Sequence, residues 1–350
     1  MLSNVVLSQV PVHRIYGGVV PELASREHLR GIVPVVRQAL EQADVPSVAE
    51  VDAIAVTQGP GLAGALLVGI TYAKSLSWAA NKPLIAVNHL EGHVHAVLLE
   101  ERRHGRPDPP LPALALVVSG GHTHLYTVAR DSSGAYRYAP LGRTRDDAAG
   151  EAYDKVAKLL GLGYPGGPLI DKLAEFGDPR AVPFGPIRLK GNRLDFSFSG
   201  IKTAALRQVQ RQGWEPAIAA RVQAVAALGR NPTLEEWHGL CDQATLDLIA
   251  SFQHAVVRDL VERTAAAVDE GSAAGEQPAS IFLTGGVAAN RALRREMQAA
   301  ADHLGLGLFA PALALCTDNA AMIATAAFPR FARQQWAAPS LTAEPQLPLQ

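Results

Sequence analysis

Short apolar runs rich in β-branched residues alternate with long helical patterns in this chain, and that alternation limits its fold more than any other feature. The runs are VVLSQV (5–10), IAVTQG (54–59), LIAVN (84–88), LALVVSGG (114–121) and IFLTGG (281–286), bounded by turn-forming residues. Stretches at 26–43, 64–80 and 244–268 carry apolar residues at helical spacing. Strands separated by helices predict an α/β fold with a largely parallel sheet, because a parallel neighbour is reached only through a crossover. The segment ALALVVSGGHTHLYTV (113–128) reads differently, as an antiparallel hairpin around a Gly-Gly turn. Residues 101–112 (ERRHGRPDPPLP), charged and Pro-rich, read as a linker between two lobes. A further helical stretch, AIAARVQAVAAL, lies in 211–237 and stops at GRNPT, and the segment from Pro339 is expected to be disordered.

Composition excludes several classes. A chain of 350 residues, 48% hydrophobic and 19% charged, is globular. Its net charge of −1 argues against a globally basic nucleic-acid binder and leaves room only for a local basic strip. Cys241 and Cys316 are far apart and form no CxxC pair, so a disulfide framework is not expected and a reducing compartment fits. No apolar stretch reaches membrane-spanning length, and MLSNVVLSQVPVHRIYGG lacks a signal peptide's basic and apolar regions. The expected location is the cytoplasm.

Three histidines, His89, His93 and His95, follow Asn88 in LIAVNHLEGHVHAVL. On a helix starting there, His89 and His93 share a face and His95 points elsewhere. An i, i+4 pair at the end of a buried strand supplies two ligands to one ion, or is simply a pair of partly exposed helix residues. The motif is HLEGH rather than HExxH, so Glu91 sits at the wrong offset for a zincin base. A third ligand is available at Asp318 in LCTDNAAMIATAAF, where an N-cap is the competing reading. Together the three would form a His2Asp site with open positions, suited to a Lewis-acid metal.

Two glycine turns, VVSGGH (117–122) and LTGGVAANRALR (283–294), each follow a strand. Exposed amides there suit phosphate oxygens; a plain turn needing positive φ is the alternative. A third turn, GYPGGP (163–168), precedes Asp171, and Asp154 lies on the helix of DDAAGEAYDKVAKLLGL as a possible acceptor for ligand hydroxyls or an exposed charge. The job of FSFSGIKTAAL (196–206) is not legible from spacing. Arg143, Arg145, Arg188, Lys190, Arg193, Lys202, Arg291, Arg294 and Arg295 could form a phosphate-facing strip or be solvated surface cations.

Taken in order, GGVVPELASREHL, QGPGLAGALLVGITYAK, NHLEGH, VSGGHT, DDAAGEAYDKVAKLLGLGYPGGP, DFSFSGIKTAAL, GGVAANRALR and CTDNAAMIA resemble the bacterial tRNA threonylcarbamoyladenosine transferase family (TsaD), once called O-sialoglycoprotein endopeptidases. The likeness spans roughly residues 3–330. It implies two RNase-H-like lobes of the actin/Hsp70/sugar-kinase superfamily with an interlobe ligand cleft. The first lobe would be 1–112 plus 300–330 and the second 113–299, with a helical insertion near 211–237 and a tail at 331–350. It implies transfer of threonylcarbamoyl from threonylcarbamoyl-AMP to the exocyclic amine of the adenosine 3′ of the anticodon, in tRNAs reading ANN codons, with release of AMP. By the same resemblance one divalent metal, iron in preference to zinc, sits on His89, His93 and Asp318. The donor contacts fall on Val117, Val118, Ser119, Gly120, Gly121, Asp154, Gly167, Asp171 and Asn290. The implied partners are tRNA, a small paralogous dimerisation partner and an ATPase, with no membrane.

The family's N-terminal ETSCDET block has no counterpart here, so the chain reads as starting after the first hairpin, with central strand edges left unpaired. Two other functions are weighed against transfer: a non-catalytic nucleotide-binding subunit, which the missing block favours, and a metallopeptidase, which the offset of Glu91 disfavours.

Overall fold

The computed structural model describes residues 1–185 and 189–350. In chain order the elements are α1 (Val10–Arg14), α2 (Pro21–Gln42), β1 (Ile54–Gly59), α3 (Ala63–Ala80), β2 (Leu84–Asn88), α4 (His89–Arg103), β3 (Ala113–Val118), β4 (Thr123–Arg130) and β5 (Tyr136–Arg143). Then come α5 (Ala149–Leu159), α6 (Gly167–Leu173), α7 (Ser199–Gln212), α8 (Glu215–Ala227), α9 (Leu234–Leu240), α10 (Gln243–Ala273), β6 (Ser280–Thr284), α11 (Arg291–His303), β7 (Gly307–Phe309), α12 (Leu313–Cys316) and α13 (Ala320–Ala332). The chain divides into two compact units, one of residues 1–111, 128–139 and 309–350, the other of 112–127 and 140–308.

In the first unit, β1 and β2 are parallel neighbours joined through α3, a short crossover with Ile54 opposite Leu84 and Thr57 opposite Val87. Val56, Leu66, Ile70, Ala73 and Leu84 form one cluster around this crossover. Ile85, Val87 and Ala96 form another with Met322, Ile323, Ala326 and Ala327 of α13. The run 5–10 is not a strand. Its hydrogen-bonding edge meets no neighbouring strand, and Leu7 lies on α2 beside Gly31 instead.

The segment expected to be disordered is packed. Glu344 N donates to Gln58 O (3.0 Å) and Gly61 N to Pro345 O (3.2 Å), and just before the segment Ala337 N donates to Leu84 O (2.7 Å). Ala337, Leu341 and Ala343 lie on the β1–α3 cluster, and Lys74 Nζ reaches Leu341 O (3.2 Å). Its prolines and polar residues suggested a solvated tail. The open backbone of β1 and an apolar surface beside it gave the tail both partners and a place to bury leucine.

A five-stranded sheet has the order β5-β4-β3-β6-β7, with β3 and β6 wholly in the second unit. Its first strand, β3, is central, and β6 returns to it in parallel with Leu114 opposite Ile281 and Leu116 opposite Leu283. Every residue of β3 and β6 is buried, as expected for strands covered on both faces. Helices α8 and α9 occupy the 211–237 stretch. Buried Arg221 anchors α8 by donating to Leu160 O (2.6 Å) and Leu240 O (3.0 Å).

Removing residues 341–350 should expose the β1 edge. The expected result is faster amide exchange over residues 54–61 and a melting temperature lower by a few degrees, since about 1 kcal/mol corresponds to roughly 2–4 °C in domains of a few hundred residues. Unchanged exchange and melting would show that the tail does not stabilise this edge.

Candidate metal centre and glycine-turn site

Helix α4 starts where β2 stops because Asn88 caps it: Asn88 Oδ1 accepts from Leu90 N (2.9 Å), and the Asn88 amide donates to Leu347 O and Pro348 O. That cap places His89 and His93 one turn apart at the helix start, with ring centroids 4.8 Å apart in an edge-on arrangement. Asp318 joins them from the loop before α13. Its Oδ1 lies 3.5 Å from His89 Nε2 and 3.3 Å from His93 Nε2.

The N-cap alternative for Asp318 fails on geometry. Asn319 caps α13 instead, accepting from Met322 N (2.9 Å) and donating to Thr317 O (2.8 Å), so the helix start does not need the Asp318 carboxylate. Close packing of the two helices brings the three groups together. A Cβ at Gly92 would stand 2.7 Å from Ile323 Cδ1, so glycine permits the approach of α4 to α13.

These residues fit a metal ion. Their candidate ligand atoms all lie within 4.8 Å of one another. Bonds of about 2.0–2.2 Å at tetrahedral angles put neighbouring ligand atoms roughly 3.4 Å apart, close to both His–Asp separations. His93 is fully buried and the Asp318 side chain is largely exposed, so the donor set has a sealed back and an open front. Burial pushes the His89 imidazole below its ordinary pKa, opposed by Asp318 and reinforced by His93, which favours the neutral form that ligates.

Glu91 and His95 lie on the other side of α4. Glu91 is buried, accepts from the Tyr138 hydroxyl (3.2 Å) and sits 2.8 Å from Arg330 Nη2. His95 Nε2 is 2.8 Å from the same hydroxyl, and burial drives its pKa down to about 3. Glu91 therefore does not share the face of the two ligand histidines, as its offset indicated. Sequence reasoning missed this network; an acid inside the otherwise apolar inner face of LIAVNHLEGHVHAVL was the available signal.

In the second unit the two glycine turns meet at the carboxyl ends of parallel β3 and β6. Gly285, at φ +95°, packs against Val118 so closely that a side chain there would strike the Val118 carbonyl. The Val117–Gly121 turn closes on itself through Ser119 N to His122 O (2.7 Å), and Gly150 N of α5 donates to Ser119 O (3.2 Å). Asp154 accepts from Gly166 N (2.7 Å) just before Gly167; burial raises its pKa, with the Gly166 and Gly167 amides opposing. Asp171 accepts from Arg291 N and Nε (3.2 Å each), next to Asn290, which caps α11 through Leu293 N (2.8 Å). These contacts join Val118 to Gly285, Ser119 to Gly150, Asp154 to Gly166 and Asp171 to Arg291.

FSFSGIKTAAL also acquires a role. Asp146 accepts from the hydroxyls of Ser197 and Ser199 and from Phe198 N, and Asp147 from Lys155 (2.7 Å) and Lys202 (2.9 Å). Burial would raise the Asp146 pKa, but these hydrogen bonds hold it below the usual range. The basic strip is largely committed internally: Arg145 to Asp195, Arg193 to Glu270, Arg291 to Asp171 and Glu175, Arg295 to Glu296. Arg188 lies outside the described residues.

Among the described residues no helix is long and apolar enough to cross a membrane. Full-length HypF in its phosphate- and nucleotide-bound form is similar in fold, with a TM-score of 0.51 and 13% identity over 87% of this chain and 42% of that one. The likeness to this structure is one of fold alone. The family model described as tRNA N6-adenosine threonylcarbamoyltransferase matches residues 1–325. Proteins of that name are 56% identical in Koribacter versatilis (strain Ellin345), over 100% of this chain and 93% of that one, and 48% identical in Moorella thermoacetica, over 99% and 90%. The chain belongs to the tRNA N6-adenosine threonylcarbamoyltransferase family, transferases that modify tRNA.

Proposed function

We propose that the chain transfers threonylcarbamoyl from threonylcarbamoyl-AMP to the exocyclic amine of the adenosine 3′ of the anticodon in tRNAs reading ANN codons, with His89, His93 and Asp318 holding one iron ion in preference to zinc. The observation that carries the metal reading is the convergence of three ligand atoms within 4.8 Å, on a face that is sealed behind and open in front. A bound ion of this kind supplies Lewis-acid charge for a carbonyl or phosphate oxygen. In the reaction the amine nitrogen attacks the carbamoyl carbonyl carbon, the carbon–oxygen bond to the phosphate breaks, the nitrogen loses a proton and AMP departs.

The second unit's residues act on the donor's nucleotide. Backbone amides of Gly120 and Gly121, at the carboxyl end of a parallel strand, suit phosphate oxygens, since glycine leaves the backbone accessible and α/β sheets bind ligands at that edge. Asp171 and Asn290 fix the start of α11 beside the second glycine turn, and Asp154 fixes the loop entering Gly167. Val117 and Val118 set the strand end from which the turn projects. The proposed setting is the cytoplasm, working with tRNA, a small paralogous dimerisation partner and an ATPase.

Two measurements check this reading. Metal analysis of the purified protein should find about one iron or zinc per chain, falling at least tenfold in His89→Ala and Asp318→Ala; unchanged metal in both variants would remove the assignment. With threonylcarbamoyl-AMP, unmodified tRNA and the complete bacterial complex, modified adenosine should form with AMP in equal amount, and Asp171→Ala should lower the rate by about 10–100-fold. Donor binding without transfer by the unaltered chain would favour a non-catalytic subunit.

A further inference from the structure

The two sides of α4 do different work. Glu91 sits between His89 and His93 in sequence, and at about 100° per residue it lies some 200° around the helix from each of them. A rotation of α4 that moves Glu91 therefore moves the two imidazoles in the opposite sense. Glu91 is held at both oxygens, by the Tyr138 hydroxyl at Oε1 (3.2 Å) and by Arg330 at Oε2 (2.8 Å). Tyr138 in turn lies 2.8 Å from His95 Nε2, one turn further along the same side of α4. Arg330 stands near the end of α13, and Asp318 immediately precedes that helix, twelve residues or about 18 Å of helix away.

An ion pair with a buried member, as here where Glu91 is buried and Arg330 is half-buried, contributes little net stability, because desolvation cancels most of the attraction. It does define one geometry: Glu91 Oε2 lies on Arg330 Nη2 while Oε1 accepts from Tyr138, and Arg330 Nη1 donates to Ala326 O of its own helix. Here the pair ties α13, whose start carries Asp318, to the helix that carries His89 and His93. Apolar packing of Met322 and Ile323 beside Gly92 is non-directional and carries no angular preference of its own.

We propose that the Arg330–Glu91 ion pair, with Tyr138 and His95, is a positioning network that sets the rotation of α4 and its register against α13, so that Asp318 meets His89 and His93 in ligating geometry. This inference rests on the metal reading above. None of the four residues touches the ion; they act through the ligands.

The test uses Co2+ as the probe, added to the metal-free full-length protein. Its affinity is read by titration and its coordination by the visible absorption bands. Arg330→Met should weaken Co2+ binding by about 10–100-fold and alter the bands, the usual range for loss of a partner behind a metal ligand. Arg330→Lys, which restores the charge without the guanidinium fork, should recover part of the affinity. Tyr138→Phe, which removes one hydroxyl and is expected to fold, should show a smaller loss in the same direction. Wild-type affinity and bands in both Arg330→Met and Tyr138→Phe would overturn the proposal, whatever happens to the melting temperature. If the unaltered protein binds no Co2+, or binds it equally after His89→Ala, the metal reading itself fails and this inference falls with it.

Discussion

The close approach of α4 and α13 is the contact on which the first unit depends. Each helix alone is ordinary: α4 is capped by Asn88 and α13 by Asn319. Their packing at Gly92 converts an i, i+4 histidine pair and a carboxylate more than two hundred residues away into one donor set. It also buries the same two helices' residues in a shared cluster with β2, so two of the three candidate ligands stand on a packed helix, while Asp318 comes from the loop before α13. A side chain at position 92 would have to displace the Ile323 and Met322 side chains that pack there.

The division of labour along α4 follows from helix periodicity. His89 and His93 face Asp318, whereas Glu91 and His95 lie on the opposite side toward Tyr138, with Arg330 on Glu91. The inward pair would be costly alone, since a buried carboxylate without partners is strongly disfavoured. Burial and the neighbouring Glu91 carboxylate hold the Tyr138 hydroxyl well above its ordinary pKa, so it keeps its proton and remains a donor. In the second unit the organising constraint is different. Parallel β3 and β6 end side by side, and positive φ at Gly285 lets the two glycine turns pack without collision.

Much of this was legible in the sequence, for physical reasons. β1, β2, β3 and β6 lie where β-branched runs end at turn residues, and α3 begins within one residue of its predicted start, because burial on one side imposes a period. The run 5–10 misled, since an apolar sequence specifies burial but does not supply a strand to pair with. The tail misled in the opposite way: proline and polar residues signalled disorder, yet an open strand edge offered hydrogen bonds that composition does not record. Asp318 was found as a ligand candidate but with a capping role that Asn319 performs, a choice decided by one residue of helix phase. Long-range partners such as Arg330 for Glu91 and Lys202 for Asp147 were not legible, since sequence separation carries no distance.

Anomalous diffraction from crystals of the iron-loaded protein, collected on both sides of the iron absorption edge, tests the central claim most directly. The account predicts one strong peak per chain within bonding distance, about 2.0–2.2 Å, of His89 Nε2, His93 Nε2 and an Asp318 carboxylate oxygen. A peak on other residues, or none at this triad in protein that retains its iron, would contradict it.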